Sequence, residues 1–442
     1  MNVTIDKTTL FCIVTVCISL LLSSFIATGS LLFYLSFFVI AVFLILRNLS
    51  HSKEYKNIYV LLVGIHLVLL LYQVSFQNIP MSGGDWGVYV SAARDLSSRE
   101  NALADILNPL TFGKVRGDMY ERLCAFIYYF YGYNQKFMYF ISFIAAEVTF
   151  YNIYRSAAVI AQDKDSKLPF LSAIVFYITP IEMVYSVDFL REMVIQAIFS
   201  LSLYYFVRYI YGKSNNYYPV IICSIIMSVF HSGFVGVLIG YIASYVFYDK
   251  KTKRVNISLT NIAALVILVV LLYISPLWEA LASRFSDVGS VSDLSERVNN
   301  TSKFAIGTTD YISAPSSNIG VILQTPIRFV FYLISPLPWQ VNSVGTVIAM
   351  ILDGTVRWLL CYRIIKLIIL AKKNLLKDPR NKSLIYTAMI IIGCTTLIFS
   401  WGTNNYGTAM RHRTSLYALE IMLYFVVWKL ETGALKNDET KN

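Results

Sequence analysis

The sequence predicts an all-α polytopic membrane protein, on the basis of its composition and the length of its apolar runs. Of the 442 residues, 57% are hydrophobic and 14% are charged, whereas a soluble domain has about 25% charged residues. Apolar runs recur at about the length needed to cross a hydrocarbon core of roughly 30 Å. Only helices and closed barrels satisfy their backbone inside lipid. Continuous runs without period-2 alternation exclude a barrel.

These runs predict about 12 transmembrane helices in a single membrane domain that covers residues 1–442. The first run lacks the basic n-region and the small-residue cleavage site of a signal peptide, so we expect it to remain a membrane helix. The predicted helices lie near residues 8–28, 30–46, 57–74, 137–154, 168–186, 190–210, 217–230, 232–248, 257–275, 343–365, 383–401 and 414–430.

Basic residues predict the orientation of the chain. Every second connection between the predicted helices is basic, for example the run Asp-Lys-Lys-Thr-Lys-Arg at 249–254. The positive-inside rule places these connections in the cytoplasm, together with the N and C termini. The formal net charge of +11 then reflects orientation and contact with the anionic lipid bilayer. We therefore expect no nucleic-acid partner.

Two long connections, residues 75–136 and 276–342, are then predicted to face outward. Each contains a semi-apolar stretch, at 123–133 and at 322–334. Counting either stretch as a full span would reverse the charges of the loops after it. We therefore expect partial helices that lie in the membrane interface or dip partway into the bilayer.

The sequence carries no motif for metal or nucleotide chemistry. Its six cysteines form no CxxC pair and no Cys/His cluster, which disfavours a zinc site or a disulfide framework. The GxSxG, HExxH and P-loop patterns are absent, and the acids of the outer loops lack the spacing of a divalent-cation site. We expect no cofactor and no metal ion, and ATP-driven and hydrolase functions are disfavoured.

The first candidate site follows the third predicted helix, at Gly83-Gly84-Asp85-Trp86, with Tyr89 and Arg94 beyond it. The glycines allow the backbone to turn tightly and to approach a ligand. An acid just above the bilayer suits a general base or an acceptor for a sugar hydroxyl. Alternatively, Asp85 caps a helix over residues 86–95.

The second candidate is Asp188-Phe189-Leu190-Arg191-Glu192, where the sixth predicted helix begins on the outer side. A cation at a helix N-terminus opposes the helix dipole, so Arg191 needs another reason to be there. A bound pyrophosphate, held by the guanidinium fork, would supply one. An ion pair with Asp188 or Glu192, or contact with lipid headgroups, is the alternative.

Two further candidates carry histidine. His231 lies at a tight outer turn, where it can move a proton or donate to a phosphate oxygen, or serve in packing. The segment Arg411-His412-Arg413 places basic residues in a predicted outer loop, against the positive-inside trend. Such a cluster suits a pyrophosphate or a lipid phosphate. Arg328, after Pro326, is a further candidate for the same pocket.

Several of these motifs resemble the EpsG-like and Wzy-type polymerases of bacterial surface polysaccharides. The resemblance rests on residues 178–241, with Asp188-Phe189-Leu190-Arg191 and Phe230-His231-Ser232-Gly233, and on the segment Gly-Gly-Asp85-Trp-Gly-Val-Tyr89. The chain departs from the family pattern at Glu192, where glutamine is common, and at Asp188, where a small amide is common. A carboxylate at either position can form an ion pair with Arg191 and so compensate its positive charge.

The resemblance implies a GT-C-like glycosyltransferase in the bacterial inner membrane, with its active site facing the periplasm. It would join undecaprenyl-pyrophosphate-linked oligosaccharide repeat units of O-antigen, capsule or exopolysaccharide, with a chain-length regulator and a flippase as possible partners. Arg191, Arg411 and Arg413 would hold the pyrophosphate. His231 or Asp85 would act as the base, and tyrosines such as Tyr89 would pack on sugar rings.

Two other functions stay open at this point. One is a GT-C glycosyltransferase or glycan ligase that uses another polyprenyl-linked donor, with Asp85 as the base. The other is a lipid-linked oligosaccharide flippase or another transporter, which a dozen spans would suit. Transporters place their ionisable residues near the middle of the membrane, whereas the candidate residues of this sequence gather at the outer ends of the predicted helices.

Overall fold

The computed structural model describes residues 29–49, 53–77, 79, 86–108, 119–162, 166–274, 312, 317–376, 378–403 and 405–432. Several parts of the sequence-based predictions lie outside these residues. They are the membrane helix at 8–28, the segment 80–85 with Gly83, Gly84 and the candidate Asp85, residues 109–118 of the first outer loop, and residues 276–311 and 313–316 of the second outer loop.

Within the described residues the chain is helical apart from short connections and one hairpin, so the all-α prediction is confirmed there. The first nine helices are α1 (Gly29–Asn48), α2 (Lys53–Phe76), α3 (Trp86–Ser97), α4 (Ala102–Leu107), α5 (Met119–Tyr131), α6 (Gln135–Ala161), α7 (Leu168–Ile178), α8 (Pro180–Ser186) and α9 (Arg191–Ile210). The later helices are α10 (Tyr218–Phe230), α11 (Val235–Phe247), α12 (Leu259–Tyr273), α13 (Asn318–Ile334), α14 (Val344–Ala349), α15 (Thr355–Lys372), α16 (Pro379–Gly402), α17 (Tyr406–Arg413) and α18 (Tyr417–Ile421).

Local sequence explains where several helices begin. The side chain of Ser317 accepts a hydrogen bond from the Gly320 N–H at 3.2 Å and starts α13. Asp378 accepts from the Arg380 N–H at 2.8 Å at the start of α16, and Pro379 takes the first helical position. These are the preferred residues at such positions, because they satisfy or remove N–H groups that the helix leaves unpaired.

Four described helical segments are long and apolar enough to cross a membrane: α2, α9, α16 and the segment Val344–Lys372, in which a π-helical turn (Met350–Gly354) joins α14 to α15. Helices α7 and α8 together would make a fifth, but the chain bends by 69° between them. Pro180 explains the bend, because it disfavours a helical conformation at the preceding Thr179, whose ψ is 124°. The described residues therefore contain four or five candidate spans.

The other predicted spans within the described residues also lie largely on helices. The stretch 123–133 overlaps α5, and the stretch 322–334 lies in α13. The last predicted span, 414–430, contains 3₁₀ and π turns beside α18. The predicted spans of this kind lie near residues 30–46, 137–154, 217–230, 232–248, 257–275 and 414–430.

The basic connection at 249–254 contains the hairpin, in which β1 (Tyr248–Asp249) pairs antiparallel with β2 (Arg254–Val255). Asp249 closes the turn. Its carboxylate accepts hydrogen bonds from the Thr252 hydroxyl at 2.8 Å and from the Lys251 N–H at 2.9 Å. These bonds, the one from Thr252 first, lower the pKa of the Asp249 carboxyl, because they favour its charged form.

The chain divides into two compact units, one of residues 1–151 and 183–194 and the other of residues 152–182 and 195–442. In the first unit, α3, α4 and α5 pack on one another. Arg122 of α5 is buried and donates to the carbonyls of Asp105 at 2.5 Å and of Ile106 and Asn108 at 3.3 Å. It thereby satisfies carbonyl groups at the end of α4 that have no partner within the helix.

In the second unit, α11 packs closely against α16 through two glycines spaced four residues apart. A Cβ on Gly236 would lie 2.7 Å from Thr395 Cα and 2.8 Å from the Cys394 carbonyl oxygen. A Cβ on Gly240 would lie 2.7 Å from Ile391 Cα. Small residues at this spacing let two helix backbones approach closely, which is a common way to pack helices in membranes.

We predict that Gly236→Ala and Gly240→Ala each destabilise the protein by about 1–3 kcal/mol, because the added methyl group meets backbone atoms of α16. Gly393→Ala is the matched control, since a Cβ at this helical glycine meets nothing within 4 Å. It should leave stability unchanged or raise it by up to about 1 kcal/mol. Thermal unfolding in detergent measures all three. Equal effects of the three substitutions would contradict the close packing of α11 on α16.

Candidate functional site

The first unit brings two predicted site residues together, Tyr89 and Arg191. The buried ring of Tyr89 packs edge-on against Tyr120 at 5.1 Å and against Phe189 at 6.2 Å between centroids. Arg191 is the first residue of α9, and its guanidinium carbon lies 5.8 Å from the centre of the Tyr89 ring. A cation at this distance is attracted to an aromatic ring, so Tyr89 helps to position the Arg191 guanidinium.

Two carboxylates flank Arg191 in the sequence, and the structure places them differently. Glu192 Oε1 lies 3.6 Å from Arg191 Nε, which is within ion-pair distance but longer than a hydrogen bond. Asp188 is 1% exposed, and its Oδ1 accepts a hydrogen bond from the Phe189 N–H at 2.8 Å. Asp188 therefore shapes the turn before α9, and Glu192 reduces the net charge beside Arg191.

Arg94 does not join this cluster through any contact with Tyr89. It is exposed on α3, and its guanidinium lies 5.1 Å from the centre of the Tyr133 ring. Tyr89, five residues earlier on the same helix, is buried, so the two side chains leave α3 from different faces. Asp85 lies outside the described residues, so neither its proposed role as a base nor its alternative role as a cap is tested.

The second unit brings His231 and His412 together. Their ring centroids are 4.5 Å apart, and the rings are inclined at 61°. Phe399 of α16 contacts both, at 5.4 Å from His231 and at 4.8 Å from His412, where it is nearly parallel. His231 ends α10 and is half-buried, whereas His412 lies on α17 and is 7% exposed. Three separate helices thus place two imidazoles side by side.

A backbone hydrogen bond defines the protonation state of His231. The Gly233 N–H donates to His231 Nδ1 at 3.0 Å. Because Nδ1 accepts this bond, the ring is neutral and carries its proton on Nε2. His231 Nε2 is therefore a hydrogen-bond donor, which suits binding an oxygen atom better than removing a proton.

Gly233 also explains why glycine follows the histidine in the motif Phe230-His231-Ser232-Gly233. A Cβ on Gly233 would lie 2.4–2.9 Å from atoms of the Phe399 ring. Any larger residue would push Phe399 away from the two imidazoles. Glycine at position 233 therefore leaves room for the Phe399 ring to contact both imidazoles.

Two of the predicted arginines lie on the helices around this pair. Arg328 of α13 is buried, and its Nε donates to Gln324 Oε1 at 3.1 Å. It lies one turn before Tyr332, whose ring stacks on Phe399 at 5.7 Å with 8° between the planes. Arg411 is half-buried on α17, directly before His412. Arg411 therefore lies on the helix that carries His412, and Arg328 lies on a helix that contacts Phe399, the ring that contacts both imidazoles.

Arg413 has a different environment from the one expected of a pyrophosphate ligand. It is 0% exposed and forms an ion pair with Asp353. It also donates to the carbonyl oxygens of Tyr332, at 2.8 Å, and of Ser335. Its guanidinium is thus engaged by three protein acceptors, which indicates that Arg413 holds α17 in place.

A second buried ion pair, which the sequence analysis did not single out, continues this network. Arg357 of α15 pairs with Glu420 of α18, and both are buried. Arg357 also donates to the Arg413 carbonyl oxygen at 2.7 Å and lies 4.2 Å over the Tyr417 ring. The Tyr417 hydroxyl donates to Asp353 Oδ1 at 2.6 Å.

A sequence signal for this network was available. Asp353 and Arg357 stand four residues apart inside the predicted span 343–365, which places them on one helix face. Glu420, the partner of Arg357, lies within the predicted span 414–430. Ionisable residues inside membrane helices almost always face the protein interior and pair with one another. Their position inside predicted spans, away from the outer ends of the helices, is therefore the signal that indicates a buried charge network.

Comparison of the chain with protein-family models, with curated proteins and with solved structures gives no match. Among the residues that the structure describes, no group of three or more His, Cys, Asp or Glu side chains lies close enough to hold a metal ion.

Arg413 and Arg411 offer a matched pair on one helix. We predict that Arg413→Gln lowers the free energy of unfolding by about 3–5 kcal/mol, because it leaves Asp353 as an uncompensated buried charge. Arg411→Gln should change it by less than about 1 kcal/mol. Folded yield and thermal unfolding in detergent report both values. A stable, monodisperse Arg413→Gln protein would show that Arg413 does not hold α17.

Proposed function

We propose that this protein is a membrane glycosyltransferase that joins undecaprenyl-pyrophosphate-linked oligosaccharide repeat units on the outer face of the bacterial inner membrane. The observation that carries the proposal is the histidine pair of the second unit, with centroids 4.5 Å apart, on elements that also bring Arg411 and Arg328. Two imidazoles side by side can perform the two proton-related tasks of glycosyl transfer.

The tautomer of His231 supports one division of these tasks between the two histidines. In the proposed reaction the acceptor hydroxyl oxygen forms a bond to the anomeric carbon of the donor, and the bond from that carbon to the pyrophosphate oxygen breaks. His412 takes the proton of the acceptor hydroxyl. His231 donates a hydrogen bond from Nε2 to the departing pyrophosphate, which keeps the electron pair. The cations Arg411 and Arg328 offset the charge that develops on the leaving group.

Arg191 has a separate place in this proposal. Its guanidinium lies beside the aromatic cluster of Tyr89, Tyr120 and Phe189 in the first unit. The three rings are buried against one another, so they position the guanidinium and do not themselves pack on a sugar ring. A guanidinium held in this way suits the binding of a lipid-linked phosphate. We assign Arg191 to substrate binding and leave the proton transfers to the histidines.

The orientation belongs to the proposal as well. About 12 spans, with both termini in the cytoplasm, would put the turn at His231 and the segment before α17 on the periplasmic side. The substrate would then reach the site from the outer leaflet. A flippase that delivers repeat units and a chain-length regulator are the expected partners.

We predict that His412→Gln and His231→Gln cause single lipid-linked repeat units to accumulate at the expense of long glycan. The loss in polymerisation rate should be about 10²–10⁴-fold for His412→Gln, the range expected for removal of a general base. Thr408→Ala, on the same helix α17, is the matched control and should make normal glycan. Lipid-linked oligosaccharides extracted from cells with equal amounts of each protein give the readout.

If both histidine variants make glycan of wild-type length, the histidine pair is not the catalytic site. A change confined to His231→Gln would reverse the assignment and make His231 the base. The two variants therefore test the location of the site and the roles within it separately.

The buried ion pairs favour one other function, that of a transporter. Asp353, Arg357 and Arg413 lie within or beside helices of the length and apolarity of membrane spans, and α7 and α8 form a bent helix pair. Broken helices and ionisable groups at membrane depth are common in transporters. Movement of a fluorescent lipid-linked sugar across liposomes that contain this protein alone would favour transport over polymerisation.

A further inference from the structure

A buried acid and amide in the second unit lie outside the proposed catalytic site. Glu182 of α8 is 1% exposed and Gln196 of α9 is 0% exposed. Gln196 Nε2 donates to Glu182 Oε1 at 3.0 Å and to the Thr414 carbonyl oxygen at 2.9 Å. Both N–H bonds of the amide are therefore used.

The two remaining oxygen atoms of this pair are both acceptors if Glu182 is ionised. They are Glu182 Oε2 and Gln196 Oε1, and both are buried with no hydrogen-bond partner among the described residues. A buried acceptor without a partner is costly, and a buried charge without a partner is more so. A proton on Glu182 would remove the buried charge and turn one of the two acceptors into a donor.

The charges around Glu182 lead to the same conclusion. Arg357 and Asp353 act electrostatically on its carboxyl. Arg357 pairs with Glu420, and Arg413 pairs with Asp353. These two cations and two anions already balance, and the neighbouring Tyr417 is a phenol that donates to Asp353. An ionised Glu182 would therefore add a further buried negative charge beside these two ion pairs.

We infer that Glu182 is a proton-binding site, whose carboxyl takes one proton from water and holds it as a neutral acid at neutral pH. The proton sits on Oε2, so that the acid gains a donor while Oε1 keeps the hydrogen bond from Gln196. The carboxylate lone pair forms the new O–H bond, and a hydronium ion becomes water. This site is independent of the proposed glycosyl transfer and gives the second unit a group that can exchange a proton.

Infrared spectroscopy of the purified protein tests this directly. At pH 7 exposed Asp and Glu side chains are ionised, since their pKa values lie near about 4. The wild-type spectrum should contain the C=O band of a protonated carboxylic acid, which shifts in D₂O and is lost in Glu182→Gln. Glu54→Gln, at the exposed start of α2, is the control and should remove carboxylate absorption only.

Glu182→Gln should fold as well as the wild type, because a neutral amide replaces a neutral acid of nearly the same shape. A second variant, Gln196→Ala, should shift the frequency of the acid band, since it removes the amide that contacts the carboxyl. The inference is overturned if Glu182→Gln removes carboxylate bands and leaves the acid band intact, or if Gln196→Ala leaves the acid band unmoved. A cation such as Na⁺ bound to an ionised Glu182 would give the first of these results, the loss of carboxylate bands in Glu182→Gln.

Discussion

The buried pairing of two arginines with two carboxylates is the interaction on which the architecture of the second unit depends. Arg413 joins α17 to Asp353 and to carbonyl groups at the end of α13, and Arg357 joins α15 to Glu420 on α18. In a membrane, no water compensates a buried charge that loses its partner. The four side chains therefore require one another, and the helices that carry them are held in one arrangement.

The buried ion pairs also position the candidate site, because His412 is the residue directly before Arg413. With Arg413 anchored, the His412 ring lies against Phe399 and His231. The close packing of α11 on α16, through Gly236 and Gly240, brings Phe399 to the same place. The ion pair of Arg413 thus fixes the helix that carries His412, and the packing of α11 on α16 fixes Phe399. Together they hold the two imidazoles side by side, as the proposed reaction requires.

The sequence predicted much of the helical structure and less of the site. Long apolar runs located α2, α9 and α16, because a helix that crosses a membrane needs a continuous run of apolar residues. The sequence predicted one continuous span at 168–186, whereas the helix bends at Pro180. A proline inside an apolar run is a signal for such a bend. The charge of Arg413 is unusual for its place in the sequence, but the sequence does not show that it pairs with Asp353, which lies 60 residues away. The contact of His231 with His412 was unpredictable for the same reason.

A double-mutant cycle on Arg357 and Glu420 tests the central claim most directly. Thermal or denaturant unfolding in detergent would be measured for Arg357→Met, Glu420→Met and the double variant. If the pair is a buried, mutually dependent interaction, each single variant should lose about 3–5 kcal/mol because it leaves one charge unpaired. The double variant should then be more stable than either single one. Losses that simply add in the double variant would contradict a coupled charge network.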